Sequence, residues 1–183
     1  MKESPYRQFL EGRTAEVCLA QAFVLATLSH AIRRKTGALV VEVRNSVPYI
    51  IGSGCNGTQS GSDNKCDSDD LSMTLPGVIH AEINAMRDLP QKKGFRILYC
   101  TDSPCEHCLA EIVNSDNGID AVVYSRKYRI EDHLKNSSVP CMHFERTDAI
   151  LARYESARNS YGLVIATTEP QVFDWGKIDA GYP

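Results

Sequence analysis

The sequence predicts an α/β fold, a sheet of about five strands held between helices. Two observations carry this. An early pair of apolar segments separated by turn residues reads as a β-hairpin, and beyond it short β-branched runs alternate with stretches of helical periodicity. A third sets the scale: 183 residues, 43% hydrophobic and 23% charged, fit one domain with a real core.

Arg13 to Arg34 reads as a helix, because Val17, Ala20, Val24 and Leu28 repeat at helical spacing and Gly37 lies just past its end. Ala38–Val43 is apolar and β-branched, a buried strand. Asn45 to Pro48 supplies a turn, and Tyr49–Ser53 returns as its partner. Residues 55–76, rich in Gly, Ser, Asn and Asp, form a long loop, and such loops are often functional. A second helix begins at His80, with Ile83, Met86 and Leu89 on one face, and Pro90 to Gly94 ends it. Arg96–Cys100 is a strand. Cys105–Asn114 is a helix with Leu109, Ile112 and Val113 as its apolar face. Ile119–Tyr124 is a strand, Glu131–Asn136 a short helix and Val139–Phe144 a last strand. Arg146–Arg158 suits a further helix, and an apolar patch at Leu163–Ile165 marks the tail.

The net charge of −3 argues against a nucleic-acid surface, while a small anionic ligand needs only a few local cations. No apolar run reaches membrane-spanning length and the first ten residues lack a signal-peptide core, so a cytoplasmic protein with no membrane partner is expected. Seven cysteines, an odd number in such a chain, favour metal binding and buried thiols over a disulfide framework.

Chemistry concentrates in His80-Ala81-Glu82 and Pro104-Cys105-Glu106-His107-Cys108. Read as H-x-E and P-C-x-x-C, these supply three soft or borderline ligands and a carboxylate that need not touch the metal. A catalytic Zn²⁺ needs that set: three protein ligands, an open position for water and a base beside it. His80 and Cys105 fall at predicted helix starts, and Cys108 follows Cys105 by one turn, so the two sulfurs face the same way. The positive end of a helix favours their thiolates. His107, between them, is turned away. A closed structural zinc site would leave Glu82 and Pro104 unexplained, and a thioredoxin-like redox pair would leave His80 and Glu82 unexplained.

The same signature marks the zinc nucleobase deaminases. The chain resembles, over about residues 14–145, the deoxycytidylate (dCMP) deaminase family of the cytidine-deaminase-like fold. Arg33-Arg34-Lys35-Thr36-Gly37-Ala38 is similar to its R-R-K-V-G-A, and Gly54-Cys55-Asn56-Gly57 to G-Y-N-G. His80-Ala81-Glu82-Ile83-Asn84-Ala85 is similar to H-A-E-L-N-A, Thr101-Asp102-Ser103-Pro104-Cys105 to T-x-S-P-C, and Tyr124-Ser125-Arg126-Lys127-Tyr128 to Y-x-x-K-Y. Asn84 and Ser103 are the residues that lean towards a deoxycytidylate.

The resemblance implies a three-layer α/β/α fold with a mixed central sheet. It implies a deaminase domain over residues 13–150, after an extension of residues 1–12 and before a helix and tail, 151–183. It implies zinc-dependent hydrolysis of dCMP to dUMP and ammonia, with Glu82 as catalytic residue and His80, Cys105 and Cys108 as ligands. Substrate contacts are implied for Arg33, Asn56, Ala81, Ser103, Tyr124, Lys127 and Tyr128: Arg33 and Lys127 at the 5′-phosphate, Asn56 at the sugar, an aromatic wall from Tyr124 or Tyr128, and the Ser103 carbonyl at the amino group. A homo-oligomer, often a hexamer, is also implied. Cys55 and Gln59 replace a tyrosine and a proline in a segment that the family ties to dCTP activation and dTTP inhibition, so the sequence leaves open whether those effectors act here. dCTP and 5-modified dCMP remain open as substrates. Other deaminases of the fold, acting on a nucleoside, guanine or a tRNA base, and a non-catalytic nucleotide-binding module are the alternatives. Cys55, Cys66 and the acid run Asp67, Asp69, Asp70 invite a second zinc, but their spacing suits no standard ligand set.

Overall fold

The computed structural model describes residues 5–114, 116, 118–128 and 132–144. The expected helix at 146–158 and the tail lie outside them. Five strands form one mixed sheet in the order β2-β1-β3-β4-β5: β1 Gly37–Arg44, β2 Val47–Cys55, β3 Phe95–Asp102, β4 Ala121–Arg126 and β5 Cys141–His143. β1 runs antiparallel to β2 and β3, whereas β4 is parallel to β3 and β5. Helices α1 Arg7–Leu10, α2 Arg13–Ala26, α3 Ala81–Met86, α4 Glu106–Asn114 and α5 Asp132–Lys135 complete the described elements.

The period-two alternation of the strands builds two cores. Leu39, Val41, Val43, Ile97, Tyr99 and Val123 pack on one face with Ala15, Cys18 and Leu19 of α2. Ala38, Val40, Leu98, Cys100 and Val122 pack on the other with Ala81, Ala85 and Met86 of α3 and Leu109 and Ile112 of α4. The expected sheet between helices is therefore the fold observed. Asn45 and Ser46 join β1 to β2 with φ of 49° and 63°, the left-handed pair that a two-residue hairpin turn requires.

The first long helix is shorter than its periodicity suggests. It ends at Ala26, where the Thr27 hydroxyl donates to the Val24 carbonyl at 2.7 Å. The following segment is held from afar: Asp67 accepts the Ile32 and Arg33 backbone N–H groups at 2.7 and 3.3 Å. A Cβ on Gly37 would lie 2.0 Å from the Ala22 carbonyl oxygen, so β1 starts against the last turn of α2 and the chain must leave the helix to reach it. The strands at Gly37–Arg44 and Phe95–Asp102 also run longer than expected, and the short α1 was not foreseen.

Candidate active site

Three elements converge where β3 ends. His80 is the N-cap of α3, and Glu82 lies in that helix's first turn, 8% exposed. β3 runs out through Thr101 and Asp102 to Ser103, whose backbone N–H donates to the Arg126 carbonyl at 2.9 Å. Pro104 follows, Cys105 precedes α4, and Cys108 sits fully buried in its first turn. The Cys108 backbone N–H, in the first turn of α4, points at the Cys105 sulfur at 3.5 Å. His133 on α5 lies 2.8 Å from the Pro104 carbonyl oxygen and braces the ligand-bearing turn.

His80 Nδ1 stands 3.1 Å from Cys108 Sγ and 3.5 Å from Cys105 Sγ, and all three ligand atoms lie within 4.8 Å of one another. Two ligands at Zn–N of about 2.0 Å and Zn–S of about 2.3 Å in tetrahedral geometry stand roughly 3.6 Å apart. The residues therefore fit zinc in donor type and in spacing. This is the one such ligand group among the described residues. The hydrogen bond from Cys108 draws the Cys105 pKa down to about 3 against the cost of burial, helped by His80, and bound zinc would hold both sulfurs as thiolates. Burial pushes the Glu82 carboxyl up to about 7, with its own backbone N–H and His80 pulling the other way. A divalent cation on the adjacent ligands would draw it down again.

Glu82, His80 and Cys105 open into one solvent-facing cleft. Arg34, Thr36 and Asn56 line one side, Asp102, Ser103 and Tyr128 another, and Thr74 and Val78 the rim. The Asn56 side chain accepts the Thr36 N–H at 2.8 Å and donates to the Arg34 carbonyl at 2.9 Å, tying the start of β1 to the end of β2. The Ser103 hydroxyl accepts the Tyr128 N–H at 2.8 Å and so fixes the chain beyond β4. Asn84 donates to the Cys55 carbonyl at 2.9 Å, which locks α3 to β2.

Of the other residues expected to touch substrate, none is among the described residues that line the cleft. Arg33 is exposed, with its guanidinium on the Thr74 hydroxyl at 3.3 Å, and Lys127 is exposed as well. Ala81 is buried in the α3 core. Tyr124 is 5% exposed in that same core, its ring 5.4 Å from His143. Arg34 and Asp102 occupy the cleft in their place. Sequence reasoning passed over both: it took Arg33 of the adjacent arginine pair, and Asp102 fills the unspecified position of T-x-S-P-C. An acidic residue closing a mostly apolar strand was the available signal. Asp67 serves as a backbone cap, and Cys55 and Cys66 join no ligand group among the described residues.

Comparison with known proteins agrees with this site. The profile described as the cytidine and deoxycytidylate deaminase zinc-binding region matches residues 13–126. The chain belongs to that family of zinc-dependent deaminases. It is 30% identical over 142 residues to the deoxycytidylate deaminase of Saccharomyces cerevisiae, a match covering 69% of this chain and 43% of that protein. It is 29% identical over 129 residues to the Schizosaccharomyces pombe deoxycytidylate deaminase, covering 63% and 38%. The chain thus spans about two fifths of the length of these relatives. The crystal structure of the dCMP deaminase of cyanophage S-TIM5, in complex with dCMP and dUMP, superposes with a TM-score of 0.63 at 33% identity, covering 74% of this chain and 99% of that one. Among the described residues no helix is long and apolar enough to cross a membrane.

Proposed function

We propose that this chain hydrolyses dCMP to dUMP and ammonia. The observation that carries the reading is a buried carboxylate, Glu82, beside a His/Cys/Cys triad, with Glu82, His80 and Cys105 lining one cleft. The cyanophage structure, with dCMP and dUMP bound to a protein of the same fold, supports the choice of substrate.

Bound zinc would supply a water acidic enough to give up a proton near neutral pH. Glu82, within reach of the triad, takes that proton. It passes it to the ring nitrogen next to the carbon that bears the amino group, then takes the second proton, from the hydroxyl added at that carbon, and delivers it to the amine as the C–N bond breaks and ammonia leaves. Buried carboxylates shuttle protons well because the neutral form is not heavily disfavoured there. The Ser103 carbonyl, at the end of β3, accepts a hydrogen bond from the substrate amino group. Asn56 and Tyr128 bracket the sugar and base. Arg33, Ala81, Tyr124 and Lys127 are assigned no contact. The protein works as a cytoplasmic homo-oligomer in this reading; Val17, Val24, Leu28 and Ile32, apolar and exposed, support association between copies.

Ammonia release by the zinc-loaded protein, measured on dCMP, dCTP, 5-substituted dCMP and deoxycytidine side by side, tests the proposal. dCMP is expected to give the highest kcat/KM. Absence of ammonia from dCMP overturns the reading.

A further inference from the structure

Asp102 is a carboxylate 5% exposed in a wall of the cleft, and its two oxygens are divided between two arginines. Oδ1 accepts Arg34 Nε at 2.9 Å and also pairs with Nη2 of the same fork. Oδ2 accepts Arg126 Nη2 at 2.6 Å and the Thr101 hydroxyl at 2.8 Å. The aromatic rings complete the arrangement. Arg126 lies over Phe23 at 5.2 Å on the α2 side, and Arg34 lies over Tyr128 at 4.2 Å on the cleft side. Arg126 and Thr101 thus prevent the carboxylate from turning, and the carboxylate in turn takes two donors of the Arg34 fork.

Arg34 is the one arginine that lines the cleft among the described residues, and its Nη1 has no partner among them. Two guanidinium charges against one carboxylate leave a net positive charge at that wall. A guanidinium whose fork is already clamped loses little freedom when its remaining edge meets an anion. We propose that Asp102 is a positioning residue, which holds Arg34 ready for the anionic end of the substrate and so sets the preference for a nucleotide over a nucleoside. The inference rests on the reading of the substrate as a nucleotide.

Equilibrium binding separates the two claims, because the product pair dUMP and deoxyuridine differs only by the phosphate and needs no turnover. Calorimetry on the zinc-loaded wild type is expected to show dUMP bound at least about tenfold more tightly than deoxyuridine, the range of a charge-assisted hydrogen bond. Asp102→Asn is expected to lose about tenfold in dUMP affinity while deoxyuridine binding and zinc content stay within about twofold of wild type. Arg34→Gln should show the same loss, and the double variant no further loss, since Asp102 acts through Arg34. If Asp102→Asn does not yield folded protein, Arg34→Lys carries the test. It keeps the charge but not the two-pronged bond, and is expected to lose most of the preference. Equal losses for both ligands, additive losses in the double variant, or a preference kept by Arg34→Gln or Arg34→Lys would overturn the inference. So would a wild type that does not distinguish dUMP from deoxyuridine. A wild type that prefers dUMP but releases no ammonia from dCMP would overturn the proposed reaction alone, and the binding ratios would still decide the role of Asp102.

Discussion

Gly54→Ala is expected to damage catalysis by moving a helix, with no functional group removed. Gly54 lies near the end of β2, where the strand passes under α3. A Cβ there would stand 2.7 Å from the Ala85 nitrogen, 2.8 Å from the Ala81 carbonyl oxygen and 2.8 Å from Asn84 Cβ. Ordinary contact begins at 3.4 Å, so the shortfall is 0.7 Å against helix backbone that cannot rotate aside. The helix must therefore shift by a large fraction of an ångström, and it carries His80 at its cap and Glu82 in its first turn. Overpacking of this kind costs about 1–3 kcal/mol of stability. A displacement approaching 1 Å at a catalytic base can cost on the order of a hundredfold in rate. The assay is kcat/KM for ammonia release together with Tm and bound zinc, and the expected result is a fall in both kcat/KM and Tm. Gly57→Ala is the control: it is three residues away, a Cβ there meets nothing within 4 Å, and both readouts should stay near wild type. Wild-type kcat/KM and Tm in Gly54→Ala would refute the claim that this contact sets the position of α3.

Two further perturbations have definite outcomes. Glu42 and Arg96 form a fully buried ion pair at 2.8 Å between β1 and β3, with Arg44 on the other carboxylate oxygen. Glu42→Gln strands a buried guanidinium and should cost about 3–5 kcal/mol in urea denaturation. Burial alone would raise the Glu42 pKa, but the Lys93 N–H and the two guanidiniums outweigh it and bring it from 4.5 to about 2. A depressed carboxylate stabilises the fold above its unfolded pKa, so this contribution is present above about pH 4.5 and fades as pH falls towards 2. The acid limb of the wild-type stability curve should flatten over that window in the variant. Removing the metal with a chelator should abolish ammonia release and lower Tm, and adding Zn²⁺ should restore both; a ligand at 1,000 times its Kd stabilises by about 4 kcal/mol. An unchanged Tm on chelation would show that the triad holds no metal in the folded protein.

The site was more legible in the sequence than its surroundings. His80, Glu82, Cys105 and Cys108 sit in two short segments whose geometry is local: a helix cap, a first turn, and one turn between sulfurs. Short-range spacing decides where such atoms go. The strands were legible for a similar reason, since apolar, β-branched runs such as Ala38–Val43 are buried whatever packs on them. The substrate side of the cleft depends on long-range contacts. Which of Arg33 and Arg34 faces the cleft is settled by Asp67, more than thirty residues on, capping the backbone of Ile32 and Arg33, and by Asp102 taking the Arg34 fork. Local periodicity instead continued a helix through both. Tyr124 and Tyr128 show the same limit. They are four residues apart, yet Tyr124 points into the core from a strand while Tyr128 lies past the strand end beside Arg34. Only the end of β4 at Arg126 distinguishes them.

The central claim is that Glu82 moves the protons of a zinc-dependent deamination. Its most direct test is ammonia release from dCMP by wild type and by Glu82→Gln, each assayed for bound zinc. The account predicts equal zinc in both and a loss on the order of a thousandfold in the variant. Turnover by Glu82→Gln at the wild-type rate would contradict it.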